Sequence, residues 1–350
     1  MSWKRAIRPL LLTASVATLM AIGLCVVPAA NAATGDGSPS DSNITYFGRW
    51  DKSSSTYYAA KWAGGYFRTG FTGTTVKLKQ RNAIDLWASI DGNPYVRYTN
   101  VNGTVNLTAT TLSSGTHTLS VSYRQVDPWY TGDAVFGGLV LDPGAKTVAP
   151  TTSPKLIEFI GDSITAGITT TNLALSDYGW LVGEQLGVEH TQIAQSGACL
   201  LELTAAQSTK GVACVGLQQR FGKTSAANGS SSWSFSRYTA NAVVINLGTN
   251  DYYNGVSTSK FQSSYISLVQ TIRSKYPNAV IFAMGTLKQW YAAQAKAAVA
   301  AVNNAGDKNV FYINTAGWVT AADLTDGVHP NDAGHRKIAG LLAPIIQAKI

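Results

Sequence analysis

The sequence contains little cysteine, little histidine and little charge. Of its 350 residues, three are cysteine, four are histidine and 13% are charged. The basic residues are scattered among Gly, Ser, Thr and aromatic residues and form no basic run. This pattern disfavours a nucleic-acid partner, although the formal net charge is +8. The sequence also lacks a Gly-x-Ser-x-Gly element, which disfavours the α/β-hydrolase fold.

Only the N-terminus contains a long apolar run. Three basic residues within the first eight precede an apolar stretch at 10–27, and Ala30-Asn31-Ala32 follows as an Ala-x-Ala cleavage sequence. This layout predicts a secretory signal peptide over residues 1–32, and therefore a secreted, extracellular chain that has no membrane attachment after cleavage. An uncleaved membrane anchor is the alternative. No later segment is long and apolar enough to predict a transmembrane helix.

Two cysteines, Cys199 and Cys214, follow the predicted signal peptide. An even pair of cysteines in an exported protein indicates a disulfide. Such a bond would close a short loop and stabilise the fold by roughly 3 kcal/mol in the chain-entropy model. Two free, buried thiols are the alternative. No histidine lies near either cysteine at the spacing of metal ligands, so no metal site is expected there.

Residues 33–147 show the pattern of an all-β domain. The chain is longer than one hydrophobic core usually holds, so two domains are expected. The stretches "TVKLKQ" (75–80) and "HTLSVSY" (117–123) alternate with a period of two, as half-buried strands do, and turn sequences such as "DGNP" and "SSGT" separate such runs. Short strands at this spacing predict an antiparallel sandwich over 33–147, and "VAPTTSP" (148–154) predicts a linker.

The pattern changes in the last part of the chain, residues 155–350. Apolar runs typical of buried strands alternate there with amphipathic, helix-like segments. The alternation predicts a mostly parallel sheet with helices on both faces. The predicted strands are 156–160, 188–194, 242–247, 279–284 and 310–313, and the predicted helices are 180–186, 261–275, 290–303 and 332–349.

Polar side chains follow several of these predicted strands. "GDS" with Ser163 follows the first strand, "AQSGA" with Gly197 follows the second, and "LGTND" with Asn250 follows the third. Asp326 and His329 come after the last strand, beyond a loop. Ligands of open parallel sheets bind at the carboxyl ends of the strands. We therefore expect these residues to lie on one rim of the sheet.

These residue types together suit nucleophilic catalysis. A serine hydroxyl needs a base to accept its proton, and His329 is the candidate base for Ser163. Asp326, three residues before His329, could orient the imidazole and stabilise its charged form. The backbone N–H groups of Ser163 and Gly197 and the side-chain amide of Asn250 could stabilise an oxyanion. The alternative is that Ser163 only caps the N-terminus of a helix.

The blocks "GDSI", the isolated Gly197, "GTND" and "DGVH" match, in order and spacing, the four blocks of the SGNH (GDSL-type) hydrolase superfamily, and the resemblance covers 155–350. It implies a three-layer, flavodoxin-like α/β domain in which Ser163 is the nucleophile. It also implies that Gly197 and Asn250 join Ser163 in the oxyanion hole, and that the catalytic triad is completed by Asp326 and His329.

The N-terminal half resembles a second family. "YFGRWD" (46–51), "WAGGYFRTGFTGT" (62–74) and "IDG" (90–92) are similar to the jelly-roll sandwich domain of carbohydrate esterase family 2, whose members resemble acetylxylan esterases. The resemblance implies a secreted serine esterase that removes O-acetyl groups from polysaccharides such as acetylated xylan through an acyl-enzyme. It implies a monomer with no metal or cofactor. Members often use a Ser–His dyad, so it stays open whether Asp326 or a backbone carbonyl orients His329.

Other interpretations remain at this point. One is a secreted lipase or general carboxylesterase, and another is a carbohydrate-binding protein whose hydrolase domain is inactive. A glycosidase that uses Asp162 and Asp251 would leave Ser163 and His329 without a role. His335 has no carboxylate at the spacing that Asp326 has to His329, so it is a poorer candidate base. The segment "DPWYTGD" (127–133) is predicted to be a loop of the sandwich that touches the substrate.

Overall fold

The computed structural model describes Met1, residues 35–127 and residues 129–350. Residues 2–32 of the predicted signal peptide lie outside the described residues. From residue 35 onward the described chain forms one compact unit, which contains two sheets. Among the described residues, no helix combines the length and the hydropathy needed to cross a membrane. The domain boundaries expected from the sequence stay predictions.

The first sheet is entirely antiparallel and is built from residues 45–148. Its strand order is β1-β4-β7-β5-β8-β3-β2, and β6 and β9 pair with β5 and β4. The strands are β1 (Thr45–Phe47), β2 (Trp50–Asp51), β3 (Tyr58–Ala60), β4 (Tyr66–Gly73), β5 (Val76–Ile90), β6 (Val96–Asn106), β7 (Gly115–Tyr123), β8 (Val135–Leu141) and β9 (Thr147–Val148).

Strand β5 connects the two layers of this sandwich. Its first part pairs with β8, and its last part pairs with β7 along the same edge, while β6 lines the opposite edge. Residues 76–81 alternate between buried and exposed, as the period of two predicts. From Ile84 to Ser89 every residue is buried, because Leu86 faces the core of the sandwich and Trp87 faces the core of the second sheet.

The second sheet is entirely parallel, with the order β11-β10-β12-β13-β14. This is the flavodoxin-like order, with the first strand of the domain next to the second and the third. It confirms the predicted fold class. The strands are β10 (Leu156–Gly161), β11 (Glu189–Ala194), β12 (Ala242–Asn246), β13 (Val280–Met284) and β14 (Val310–Ile313).

Helices cover both faces of this sheet. Helices α1 and α6 pack on one face, and α4 and α5 pack on the other. The four predicted helices are present, with ends within three residues of the predicted ones, whereas the short α2 and α3 and three 3-10 turns were not predicted. The helices are α1 (Tyr178–Leu186), α2 (Leu217–Arg220), α3 (Thr249–Tyr253), α4 (Thr258–Lys275), α5 (Ala292–Asn304) and α6 (Asp332–Gln347), and the 3-10 turns are Leu173–Ser176, Phe235–Arg237 and Ala321–Asp323.

A buried ion pair joins the two sheets. Arg49 lies between β1 and β2, Glu158 lies in β10, and both side chains are 0% exposed, with Nη2 and Oε2 3.4 Å apart. Glu158 also accepts hydrogen bonds from the hydroxyls of Tyr238 and Tyr276. The Arg49 guanidinium packs against the rings of Phe221, Trp233 and Phe235.

The apolar core is continuous across the same interface. Aromatic residues of the sandwich and apolar residues of β10 and β11 belong to one buried cluster, which includes Phe47, Trp62, Tyr66, Trp87, Leu156, Ile160 and Ile193. The Tyr66 hydroxyl donates to the Glu189 carboxylate at 2.7 Å, and Arg68 donates to it at 3.0 Å. The two sheets are therefore fixed to each other by both packing and buried polar contacts.

We expect single substitutions in the buried ion pair to cost more than the double substitution. Arg49→Met or Glu158→Gln leaves one charge buried without its partner, so each should lower the free energy of unfolding by about 3–5 kcal/mol. The double variant leaves no buried charge and should be less destabilised than either single variant. Urea denaturation followed by tryptophan fluorescence measures all three.

Arg81→Met is the matched control for this experiment. Arg81 forms an exposed pair with Asp133, and loss of a surface pair typically costs less than about 1 kcal/mol. Additive effects of the two single substitutions in the double variant would contradict the coupling that burial predicts.

Candidate active site

Ser163 lies just beyond the carboxyl end of β10, in a turn. Its side chain does not cap a helix: its Oγ lies 2.8 Å from Nε2 of His329. The backbone N–H that follows in this turn, that of Ile164, donates instead to the carboxylate of Asp162 at 3.0 Å. Ser163 is 7% exposed. The geometry therefore does not support the capping interpretation of Ser163.

His329 lies in the loop that precedes α6. Asn331 caps that helix by accepting a hydrogen bond from the N–H of Gly334, which fixes where the loop ends. Nδ1 of His329 lies 2.7 Å from Oδ2 of Asp326. When Nδ1 carries the proton and donates to this carboxylate, Nε2 is left with the lone pair that accepts from Ser163. The carboxylate of Asp326 thus occupies the position that a backbone carbonyl occupies in a dyad.

Asp326 is held in the carboxylate form. Burial tends to raise its pKa, but hydrogen bonds from the backbone N–H and ring of His329 and from the N–H of Val328 outweigh this effect and lower the pKa to about 2. The backbone N–H groups of His329 and Val328 donate to Oδ1 at 2.8 and 3.0 Å. A charged Asp326 beside the imidazole favours its protonated form during a reaction.

Two of the three predicted oxyanion donors, Gly197 and Asn250, lie close to each other. Gly197 follows β11 with a φ of +77°, a backbone conformation that favours glycine. Asn250 is the second residue of α3, and Gly248, with a φ of +130°, allows the sharp turn from β12 into this helix. Nδ2 of Asn250 donates to the carbonyl of Ala198, the residue after Gly197, at 2.9 Å. This amide also lies 3.5 Å from Oδ2 of Asp162.

One open cavity of about 460 Å³ brings these groups together. It is lined on one side by Ser163, Gly197, Asn250 and His329. The sequence analysis expected these residues to lie together on one rim of the sheet. Asp326 is not part of the lining, because it lies behind His329. Three further residues that the sequence analysis did not single out, Ile168, Leu173 and Ser196, also line the cavity.

The other wall of the cavity comes from the sandwich. Arg124, Asp127, Trp129 and Tyr130 line it. The predicted loop 127–133 therefore reaches the cavity, apart from Pro128, which lies outside the described residues. The Asp127 carboxylate accepts hydrogen bonds from the N–H groups of Trp129 and Tyr130. Trp129 itself is 73% exposed.

Arg124 was not predicted from the sequence. Its guanidinium lies 3.7 Å from the centroid of the Tyr130 ring and pairs with Asp85 at 3.2 Å. The Tyr130 hydroxyl accepts a hydrogen bond from the backbone N–H of Asp85. These contacts fix the tyrosine behind the exposed tryptophan. The only local signal for Arg124 was its place directly after a predicted strand.

The other histidines and carboxylates near the rim have structural partners. His335 is buried in α6 and accepts from the N–H of Tyr178 at 3.1 Å. Burial raises the pKa of Asp162 to about 6 and that of Asp251 to about 7. Asp251 accepts hydrogen bonds from the N–H groups of Leu200 and Leu201. Both aspartates brace backbone turns, so they do not form a glycosidase pair that faces the cavity.

The two cysteines form a disulfide, as the first of the two sequence interpretations predicted. Cys199 and Cys214 are bonded, with their Cα atoms 5.9 Å apart. The bond lies just after the turn that contains Gly197.

The fold and this arrangement define a protein of the SGNH hydrolase type. A serine hydroxyl, an imidazole and a carboxylate are linked by hydrogen bonds at the carboxyl edge of a flavodoxin-like sheet, and a β sandwich precedes them. The chain belongs to the GDSL-like lipase/acylhydrolase family, whose model matches residues 159–337. Residues 46–150 match the model of the carbohydrate esterase 2 N-terminal region. By family, the chain is a carboxylic ester hydrolase.

Two curated relatives are similar over different lengths. The cellulase/esterase CelE of Acetivibrio thermocellus is 27% identical over 334 residues, which are 88% of this chain and 39% of the relative. The acetylxylan esterase/glucomannan deacetylase of Cellvibrio japonicus is 30% identical over 115 residues, which are 33% of this chain and 31% of the relative. The chain thus matches less than half of the length of either relative.

A solved structure covers a similar share of the chain. A family two carbohydrate esterase from Clostridium thermocellum, solved in complex with cellohexaose, is 27% identical and superposes with a TM-score of 0.75. The superposition covers 87% of this chain and 98% of that chain. The likeness therefore extends over both sheets.

We expect the buried Asp251 to make stability depend on pH. Its pKa of about 7 in the folded state lies above the ordinary value of 3.8, so the folded protein binds a proton that the unfolded chain releases. The free energy of unfolding of the wild type, relative to Asp251→Asn, should therefore fall as pH rises from about 4 to about 7. The change should be on the order of 3 kcal/mol.

Denaturation of both proteins at several pH values measures this difference. Asp142→Asn serves as the control, because the pKa of Asp142 is lowered to about 2 by hydrogen bonds from Thr75 and Thr74. Asp142 changes its charge below pH 4. The difference in free energy of unfolding between Asp142→Asn and the wild type should therefore be constant between pH 4 and 7. If the difference in free energy of unfolding between Asp251→Asn and the wild type is also constant, the Asp251 carboxylate is ionised over the whole range from pH 4 to 7.

Proposed function

We propose that the protein is a secreted serine esterase that removes O-acetyl groups from polysaccharides such as acetylated xylan. The observation that carries this proposal is the hydrogen-bonded series of Ser163, His329 and Asp326, which opens into a cavity with an exposed tryptophan on its opposite wall. The first feature suits attack on an ester carbonyl. The second, Trp129, suits contact with the flat face of a sugar ring.

The first half of the reaction forms an acyl-enzyme. Oγ of Ser163 attacks the acetyl carbonyl while Nε2 of His329 accepts its proton, and the carboxylate of Asp326 stabilises the imidazolium. The oxyanion that develops is stabilised by the N–H groups of Ser163 and Gly197 and by the amide of Asn250. Removal of one such donor typically lowers kcat by a factor of about 10²–10³. The imidazolium then protonates the sugar oxygen, and the sugar leaves.

The second half returns the enzyme to its starting state. His329 accepts a proton from water, and the resulting hydroxide attacks the acetyl group on Ser163. The second tetrahedral intermediate uses the same oxyanion donors. It collapses when the imidazolium returns the proton to Oγ of Ser163, which releases acetic acid, and the acid ionises to acetate in the solvent. Every proton moves between His329, Ser163, the sugar and water, so the steps use only groups present in the chain and the solvent.

The space beside the oxyanion donors favours a short acyl group. A Cβ atom added at Gly197 would lie 3.2 Å from the Trp129 ring, so the indole lies close against this turn. The relatives support the carbohydrate part of the proposal, because one is called an acetylxylan esterase/glucomannan deacetylase and one structure contains cellohexaose. The predicted signal peptide and the disulfide support secretion. A monomer remains the expectation from the sequence.

The decisive measurement is acetate release from acetylated xylan by the wild type and by Ser163→Ala, with p-nitrophenyl acetate and a long-chain p-nitrophenyl ester in parallel. The wild type should release acetate and prefer the short ester, and the variant should fold but lose activity by at least 10³-fold, because it lacks the nucleophile. Preference for the long-chain ester with no action on xylan would instead indicate a lipase. Xylan binding without acetate release would indicate an inactive binding protein.

We expect Asp326→Asn to lower kcat by roughly 10²–10⁴-fold, since an amide in this position favours the wrong imidazole tautomer and provides no charge. Steady-state kinetics with p-nitrophenyl acetate measure the effect. Asp323→Asn is the matched control, because Asp323 is a nearby carboxylate that bonds Thr320 and Lys337 instead, so kcat should not change. If Asp326→Asn keeps the wild-type kcat, a Ser–His dyad suffices.

We also expect Trp129→Ala to separate polymer binding from ester hydrolysis. Loss of the exposed indole should raise KM for acetylated xylan about 5–10-fold, and KM for p-nitrophenyl acetate should change less than about twofold, because the small ester does not need the sugar contact. Tyr57→Ala, an exposed aromatic residue of the sandwich outside the cavity lining, is the control. Equal effects on both substrates would contradict a sugar-binding role.

A further inference from the structure

The disulfide closes a loop that lies beside two of the candidate oxyanion donors. We call residues 199–214 the disulfide loop. Cys199 and Cys214 are 0% and 4% exposed. Next to the bond, Leu203 and Cys214 exchange two backbone hydrogen bonds of 2.9 Å, so the two ends of the loop run together as a short ladder. The bond is thus part of a packed structure and not a link between two mobile ends.

One sulfur touches the turn that contains Gly197. Sγ of Cys214 lies 3.1 Å from the carbonyl oxygen of Gly197. A sulfur in a disulfide has no hydrogen to donate, so this is a packing contact that limits how far the carbonyl can rotate. Gly197 has no Cβ and a φ of +77°, and its own backbone provides little resistance to rotation. That carbonyl belongs to the Gly197–Ala198 peptide, next to the Ser196–Gly197 peptide that carries the N–H, so the contact restricts the turn in which the N–H is held.

The same loop is bonded to the helix that contains Asn250. The Leu200 and Leu201 N–H groups donate to the Asp251 carboxylate at 2.8 and 3.2 Å. At the other end of α3, Nδ2 of Asn254 donates to the carbonyl of Asn250 at 2.7 Å. Oδ1 of Asn254 accepts a hydrogen bond from the Ser208 hydroxyl. Contacts from the disulfide loop thus reach two residues that follow Asn250, Asp251 within α3 and Asn254 at its end.

Ala198 connects the contacts of Gly197 with those of Asn250. The carbonyl of Ala198 accepts the Asn250 amide at 2.9 Å, and Ala198 lies between Gly197 and Cys199 in the sequence. A displacement of Cys199 would therefore move the acceptor that orients Asn250 as well as the turn that orients Gly197. Trp129 and Tyr130 belong to the sandwich and make their hydrogen bonds within it, and the Trp129 ring packs against the turn of Gly197.

We propose that the Cys199–Cys214 disulfide is a positioning element that holds two of the three oxyanion donors, Gly197 and Asn250, in their productive orientation. Its loss lowers turnover while substrate binding is retained, because the donors act on the transition state and the aromatic wall acts on the sugar. The proposal rests on the proposed function, in that it assigns Gly197 and Asn250 to the oxyanion. It adds that catalytic competence of this chain requires the oxidised cysteine pair.

The test compares the wild type with the double variant Cys199→Ala/Cys214→Ala. Well below the unfolding temperature of both proteins, kcat for p-nitrophenyl acetate should fall at least tenfold, while KM should stay within about twofold. The inhibition constant of a small alkylboronic acid, which forms a tetrahedral adduct on a serine oxygen, should rise in parallel with the loss of kcat. The rate at which a fluorophosphonate labels Ser163 should fall by a similar factor.

Val121→Ala is the control for a purely structural effect. Val121 is fully buried in the sandwich, so truncation should destabilise the protein without changing kcat. A double variant that keeps the wild-type kcat, boronate inhibition and labelling rate would overturn the proposal. Near-UV circular dichroism shows whether the double variant keeps the wild-type tertiary structure, and its kinetic results decide the proposal only where it does.

If the double variant does not fold, the same three readouts are taken on folded wild type whose disulfide has been reduced with a phosphine and whose thiols have been counted. Failure of the proposed function gives a different pattern. In that case the wild type releases no acetate from xylan, yet the effect of the disulfide on fluorophosphonate labelling of Ser163 still decides the present proposal.

Discussion

The burial of one ion pair constrains the rest of this structure. Arg49 and Glu158 are both withdrawn from water, and a charge in the interior is tolerated only beside its partner. Glu158 belongs to β10, and the same strand ends at the turn of Ser163. The ion pair that joins the sandwich to the parallel sheet therefore lies five residues before the candidate nucleophile in the sequence. Any shift between the sheets would change the distance between Ser163 and the aromatic wall.

Within the parallel sheet, short-range constraints complete the site. The carboxyl ends of three adjacent strands bring Ser163, Gly197 and Asn250 to one edge. His329 arrives from a loop whose end is fixed by the cap of α6, and Asp326 needs only one turn of chain to reach its ring. The buried aspartates Asp162 and Asp251 satisfy backbone N–H groups at the two turns. The candidate site is thus assembled from several loops, each of which is held by its own local hydrogen bonds.

The features that depend on short stretches of sequence could be predicted from the sequence. Periodicity predicted the five parallel strands and the four main helices, and strand order placed Ser163, Gly197, Asn250 and His329 on one rim. The resemblance of the "GDSI" and "DGVH" blocks added their roles as a hypothesis. Arg124 and the pair Arg49–Glu158 were not predicted, since each depends on contacts between residues far apart in the chain. Whether Asp326 reaches His329 also required coordinates, because a spacing of three residues permits the contact without enforcing it.

Because the core is continuous across the two sheets, the two parts of this chain cannot be separated without exposing apolar surface. A binding module that is joined to an enzyme by a free linker can be exchanged, duplicated or lost as a gene segment, because neither part needs the other. Here Phe47, Tyr66 and Trp87 pack against β10 and β11, and Glu158 would be left in an apolar surface without Arg49. Separation of the chain at the segment 148–154 would therefore expose this apolar surface and leave the Glu158 charge without its partner. The sandwich and the parallel sheet form one compact unit, and the cavity that they share depends on both.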